Sequence, residues 1–259
     1  MKHLKSCLQD LRQIFDRTLT LRHVAEPFLT FDGPRAAHEI RDFMKERDFD
    51  VVGVRRNGIV NGYVKRSDLT SGTLEDHLIP FEAHLQVDET TSILGALRLL
   101  RDPPKVFVVV MGHVSGIVTK GDLHKAPVGM YLFGVLSLLE MQFLRLIRTI
   151  PDDSWKLSDK RIKKAKELLA DRRRRNEAID LADCLQFCDK VTIVTKYPEL
   201  RAELGFQSSR KAETLLKKLQ NLRDPLAHAQ DIITCRWPEL LHLLDSAEQI
   251  LQRAEKLRR

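Results

Sequence analysis

Val54-Arg-Arg-Asn-Gly-Ile-Val-Asn-Gly-Tyr-Val-Lys-Arg-Ser-Asp-Leu69 superimposes without a gap on Val108-Val-Val-Met-Gly-His-Val-Ser-Gly-Ile-Val-Thr-Lys-Gly-Asp-Leu123. Gly58 matches Gly112, Gly62 matches Gly116, and the Asp-Leu pairs 68–69 and 122–123 coincide. In each copy an apolar run (Val51 to Val54, Val106 to Val110) meets a short turn with glycine and then a second apolar run. Asn57-Gly58 is the dipeptide that two-residue hairpin turns favour, because both central residues need positive φ. Each copy therefore reads as a β-hairpin.

Upstream of each hairpin the apolar spacing turns helical: Ala36, Ala37, Ile40, Phe43 and Met44 before the first, Ile93, Ala96, Leu97 and Leu100 before the second. The unit is strand or loop, helix, hairpin, then a polar turn leading into another short helix. Two such units, each with one open sheet face, complete a core by packing together. The repeats span about 24–75 and 80–126, after an amphipathic segment 1–23 with Leu4, Leu8, Leu11 and Phe15. A chain of 259 residues has room for about two domains, and the boundary falls near Ala126-Pro127. From there to 259 strand signals nearly vanish. Helices are expected at about 128–150, 157–196 with a break, 208–223, 225–234 and 238–257, forming an antiparallel bundle.

Gly116-Ile-Val-Thr-Lys-Gly-Asp-Leu123, closing a duplicated helix and hairpin unit, resembles the signature of tandem CBS domains, the Bateman module. The resemblance covers roughly 24–126. It implies a sensor that binds an adenosyl ligand (AMP, ATP or S-adenosylmethionine) in clefts between the repeats, with Thr119 and Asp122 holding ribose and phosphate. Such roles suit the groups: a carboxylate accepts from both ribose hydroxyls, and a hydroxyl at a helix start joins backbone N–H groups on a phosphate. The first copy departs from the pattern, with Lys65 where the threonine should be, although Asp68 remains and Lys65 suits a phosphate. The alternative is that Asp68 and Asp122 only cap the helices that follow.

In the helical half, Asn221-Leu-Arg-Asp-Pro-Leu-Ala-His228 holds the second candidate site. On one unbroken helix Arg223 and His228 point about 140° apart. Pro225 cannot donate a backbone bond and disfavours helical geometry at Asp224, so a break is expected there, with Asp224 as N-cap and Pro225 opening the next segment. Across that junction Arg223 and His228 converge. The Arg, polar residue, His spacing, on long helices and ahead of a final helix, resembles HEPN domains, all-helical bundles of which many are metal-independent ribonucleases. That resemblance covers about 127–257. It implies Arg223 on the scissile phosphate, His228 as general acid or base, Asp224 as support, and a homodimer that brings two motifs into one cleft. It also implies RNA as substrate, with the 2′-hydroxyl as nucleophile. The plainer reading makes Arg223 and His228 ordinary helix-end residues, the arginine favoured by the dipole.

Charge points the same way. The net charge is +7; residues 1–126 carry 18 basic and 17 acidic side chains, leaving 25 and 19 in 127–259. A polyanion partner belongs with the helical half. Arg172, Arg173, Arg174 and Arg175 form a further basic run, an RNA-tracking patch or simply a solvated helix surface. Cys184 and Cys188 share a helical stripe with Leu181 and Leu185 and read as core residues of a reducing compartment, and the scattered Cys7 and Cys235 make no disulfide framework. No signal peptide is expected at the start, and Val128 to Leu139 is too short to span a bilayer, so a cytoplasmic protein without membrane contact is expected. Neither a Gly-rich phosphate loop, a His-Glu-x-x-His nor a Cys-x-x-Cys is found, so no metal site and no required cofactor are expected.

The expected architecture is thus multidomain: an α+β CBS pair followed by an all-α, HEPN-like bundle. The expected function is nucleotide-gated RNA cleavage or RNA targeting. The competing expectation is a non-enzymatic regulatory or scaffold protein whose helical domain dimerises or binds a partner.

Overall fold

A computed structural model describes residues 7–101, 103–227 and 237–257. In chain order the elements are α1 (Leu8–Thr18), β1 (Glu26–Pro27), β2 (Thr30–Asp32), α2 (Ala37–Glu46), β3 (Val51–Arg56), β4 (Ile59–Lys65), β5 (Ile79–Pro80), β6 (Gln86–Asp88), α3 (Ile93–Leu99), β7 (Lys105–Val110) and β8 (His113–Thr119). The helices α4 (Ala126–Ile147), α5 (Asp159–Arg174), α6 (Phe187–Lys196), α7 (Pro198–Glu203), α8 (Ser209–Ala227) and α9 (Trp237–Lys256) follow. Two compact units emerge, one drawn from Met1–Ile14 and Val128–Arg259, the other from Phe15–Pro127.

Both hairpins of the Phe15–Pro127 unit turn on two residues of positive φ, Asn57 and Gly58 at 52° and 79°, Met111 and Gly112 at 50° and 84°. That mirror-image turn matches the right-handed twist of the strands. The register agrees between copies: Arg56 faces Ile59 and Val110 faces His113, and both hairpins bulge one residue earlier, between Val54 and Arg55 and between Val108 and Val109.

The sheet orders are β2-β3-β4-β5 and β1-β8-β7-β6. The short strand that opens each repeat therefore joins the sheet of the other repeat. Pro27 of β1 lies opposite Gly116 of β8, and Pro80 of β5 lies opposite Gly62 of β4. Proline is tolerated in these edge strands because it has no N–H to give. Glycine opposite it leaves the room: a Cβ on Gly62 would collide with the Ile79 carbonyl oxygen. The period of two in β4 then serves two cores. Val64 packs with Ile40 and Met44 of α2, and Tyr63 joins Phe28, Phe107 and Phe81. Phe107 is the hub, with ring centroids 5.2, 4.9 and 4.7 Å from Phe28, Tyr63 and Phe81. Phe28 and Phe81 each follow the proline of an exchanged strand.

In the helical unit α4 is central. A Cβ on Gly134 would stand 3.0 Å from Leu11 of α1, Phe143 stacks on Phe187 of α6 at 6.3 Å, and Tyr131 bonds Glu248 of α9. This helix is longer than its apolar run suggested. At 22 residues it is long and apolar enough to cross a membrane, while Tyr131, Leu132, Val135, Leu136, Leu139 and Phe143 are buried inside the unit.

Three helical expectations are corrected. The break in 157–196 is wide, because α5 ends at Arg174 and Asn176 takes a left-handed conformation (φ 59°), a common way to stop a helix. Cys184 then sits in a short 3-10 turn (Ala182–Cys184) and Cys188 on α6, so the two do not share one stripe. Pro225 does not break the chain at Asp224: α8 runs on to Ala227. The missing bond to the Asn221 carbonyl is offset by burial of Leu219 and Leu222, and by Leu226, which lies 3.7 Å from the Cβ position of Gly129. Asp224 is therefore a helical residue and no N-cap.

Candidate functional site

A cleft of about 420 Å³ opens in the Phe15–Pro127 unit, a volume suited to a small ligand. Pro27 and Leu29, Phe49 and Val51, Pro104, and Ile117 supply apolar wall. Glu26, Asp48, Asp50, Lys105, Thr119 and Asp122 supply polar groups. Leu29 and Phe49 are each 39% exposed, large apolar side chains left open to a ligand rather than packed away.

Two of the four residues marked from the repeat meet here. Thr119 ends β8, and both its backbone N–H (2.7 Å) and its hydroxyl (2.9 Å) donate to Asp122 Oδ2. Asp122 lies within the 3-10 turn Gly121–His124 and is only 8% exposed. Its other oxygen, Oδ1, accepts from Lys125 Nζ at 2.9 Å, and the same ammonium reaches the Val24 carbonyl at 2.5 Å and the Glu26 carboxylate. Burial weakens the Lys125 charge, but the bonds to Glu26 and Asp122 outweigh it and hold the ammonium above the ordinary lysine range. Capping and site geometry thus coincide in Asp122.

Lys65 and Asp68 do not line this cleft. Both are exposed; Asp68 sits in the turn after β4 and accepts from the Ser67 hydroxyl at 2.6 Å. The bonding pattern of Thr119 and Asp122 recurs instead at Thr73 and Asp76, where the Asp76 carboxylate accepts the Thr73 N–H at 2.8 Å and hydroxyl at 3.0 Å. These donors pull the exposed Asp76 below the usual carboxylate range.

Several cleft residues carry no motif. Lys105 is half-buried with Nζ 5.3 Å from the Tyr63 ring centroid; burial first, then the charge of Lys65, lowers its pKa below the usual value. Asp48 and Asp50 are both held by Arg66, at 3.3 and 2.9 Å. The only sequence signal for these positions is an apolar residue beside acidic ones just ahead of a strand.

In the helical unit Arg223 projects from α8 to Glu140 of α4 (3.4 Å) and to its neighbour Asp224 (3.5 Å). Glu140 is shared, since its other oxygen accepts Lys190 Nζ at 2.7 Å from a buried lysine. His228 lies outside the described residues. Arg172 and Arg174 are engaged by Glu177 and Asp171, and Arg175 caps the end of α5. A basic groove without a sequence motif, about 490 Å³, runs between α8 and α9 with Arg210, Lys211, Lys218 and His242 in its lining. Among the described residues no three His, Cys, Asp or Glu side chains gather as a metal site.

No family model and no curated protein matches the chain. Among solved structures it is similar to CBSX2, a CBS-pair protein of Arabidopsis thaliana, in complex with AMP (19% identity, 40% of this chain, 92% of that chain, TM-score 0.36). It is also similar to an uncharacterized conserved protein from Pyrococcus horikoshii (18% identity, 41% and 90% of the chains, TM-score 0.37). A third similarity is to the CBS domain of a bacterial CNNM/CorC family Mg2+ transporter in complex with ATP (17% identity, 44% and 92%, TM-score 0.36).

Proposed function

We propose that the Phe15–Pro127 unit is a tandem CBS pair that binds an adenosyl nucleotide in the cleft at Thr119 and Asp122, and that this occupancy regulates the helical unit in the cytoplasm. One observation carries the reading: a nearly buried carboxylate, oriented by Thr119, lines a ligand-sized cleft whose remaining wall is largely apolar. Apolar faces suit an adenine ring, the Asp122 carboxylate suits a ribose diol, and the Lys105 ammonium suits a phosphate. Regulation follows only if the ligand prefers one conformation of the pair. Calorimetric titration of the full chain with AMP, ATP and S-adenosylmethionine tests the site. A charge-assisted hydrogen bond of about 1.5–3 kcal/mol implies that Asp122→Asn weakens binding by roughly ten- to a hundredfold. Unchanged affinity in the variant removes Asp122 from the site.

For the helical unit the proposal is a HEPN-like effector that acts on RNA without a metal, as a homodimer. The presence of Arg223 and a basic groove on the same helix, α8, favours RNA as the partner. The second reading, a scaffold whose helical unit only dimerises or binds a protein, is favoured by the hold of Glu140 on Arg223, which gives that arginine a structural task.

A further inference from the structure

Asp122 is already occupied. Oδ2 takes two hydrogen bonds from Thr119 and Oδ1 takes the Lys125 ammonium, so a ribose diol can bridge the carboxylate only after Oδ1 is cleared. Lys125 also holds Glu26, so one ammonium ties down two of the carboxylates that line the cleft. Its side chain is 32% exposed, and an ammonium that partly shielded is costly to leave without an anion. Arg66 already satisfies Asp48 and Asp50, which leaves them poor replacements. The remaining source of negative charge is the ligand.

We propose that Lys125 makes this cleft selective for 5′-phosphorylated adenosine over neutral or cationic adenosyl compounds. The inference rests on the adenosyl reading of the site and names its ligand class. The four-carbon lysine stem swings the ammonium from Asp122 to the ligand's phosphate while the ribose hydroxyls take Oδ1. Adenosine brings no such anion, and the sulfonium of S-adenosylmethionine adds a second cation beside Lys105 and Lys125.

Titrations of AMP, adenosine and S-adenosylmethionine into wild type, Lys125→Met and Glu26→Gln test this. Wild type is expected to favour AMP over adenosine by about tenfold or more, the size of one charge-assisted contact. In Lys125→Met adenosine is expected to gain affinity and AMP to lose its advantage. Glu26→Gln, at a side chain 58% exposed, loosens the lysine without emptying the core, and is expected to raise the AMP preference. It keeps the proposal testable should the methionine variant fail to fold. A ratio of AMP to adenosine affinity that is the same in all three proteins overturns the selectivity and leaves the adenosyl site standing. Failure of wild type to bind any of the three compounds overturns both.

Discussion

Glu248→Ala is expected to lower the stability of the helical unit by about 3 kcal/mol, the lower end of the range for breaking a buried ion pair. Glu248 is 3% exposed, accepts the Tyr131 hydroxyl at 2.5 Å and pairs with Arg12, so it joins α1, α4 and α9 at one point. Alanine leaves a buried phenol and a guanidinium short of their acceptor. Because the Arg12 side chain is 30% exposed, water recovers part of the loss, which sets the estimate at the lower end. Urea unfolding followed by helical circular dichroism measures it, and a loss within 0 to about 1 kcal/mol, as for a surface pair, contradicts the assignment. Burial, with Glu248 beside it, pushes the Tyr131 phenol far above the ordinary tyrosine value. A raised pKa means that the folded unit favours the neutral phenol. The stabilisation is complete below about pH 10 and is lost as pH rises beyond it. Tyr131→Phe is expected to flatten that alkaline decline.

The second large effect is on RNA. If the helical unit cleaves RNA as proposed, His228→Ala and Arg223→Ala are each expected to slow cleavage by about 10²–10⁴-fold in the presence of chelator, the contribution of a general acid–base group or of a phosphate-stabilising charge. Glu140→Gln is a graded companion, since it weakens the hold on Arg223 while leaving the guanidinium in place. Intact RNA with wild-type protein, with and without adenine nucleotide, decides for the scaffold reading.

What could be read from residues follows their physics. The two hairpins were legible because turn chemistry and alternation are local: Asn57-Gly58 demands positive φ wherever it stands, and Met111-Gly112 adopts the same turn because the repeat around it does. The exchange of β1 and β5 between sheets was not legible, since two-residue strands have no periodicity. Their trace in the sequence is the recurrence of Pro-Phe at 27–28 and 80–81, which matters only once Phe107 brings both rings together. Proline chemistry at 225 was overridden by the packing of Leu219, Leu222 and Leu226, an effect of tertiary burial on local propensity. In the cleft, Thr119 and Asp122 stand out by motif, whereas Lys125, Glu26 and Phe49 come from separate segments and meet only through the fold.

The central claim is that an adenine nucleotide occupies the cleft beside Asp122. Methyl-resolved NMR of the full chain during titration with AMP tests it most directly. Ile117 lines the cleft and Ile40 is buried in the α2 core of the same unit, so the pair forms a probe and its reference. The expected result is a saturable shift of Ile117 with Ile40 unmoved, lost in Asp122→Asn. An Ile117 signal that stays in place, or a shift that survives the substitution, contradicts the account.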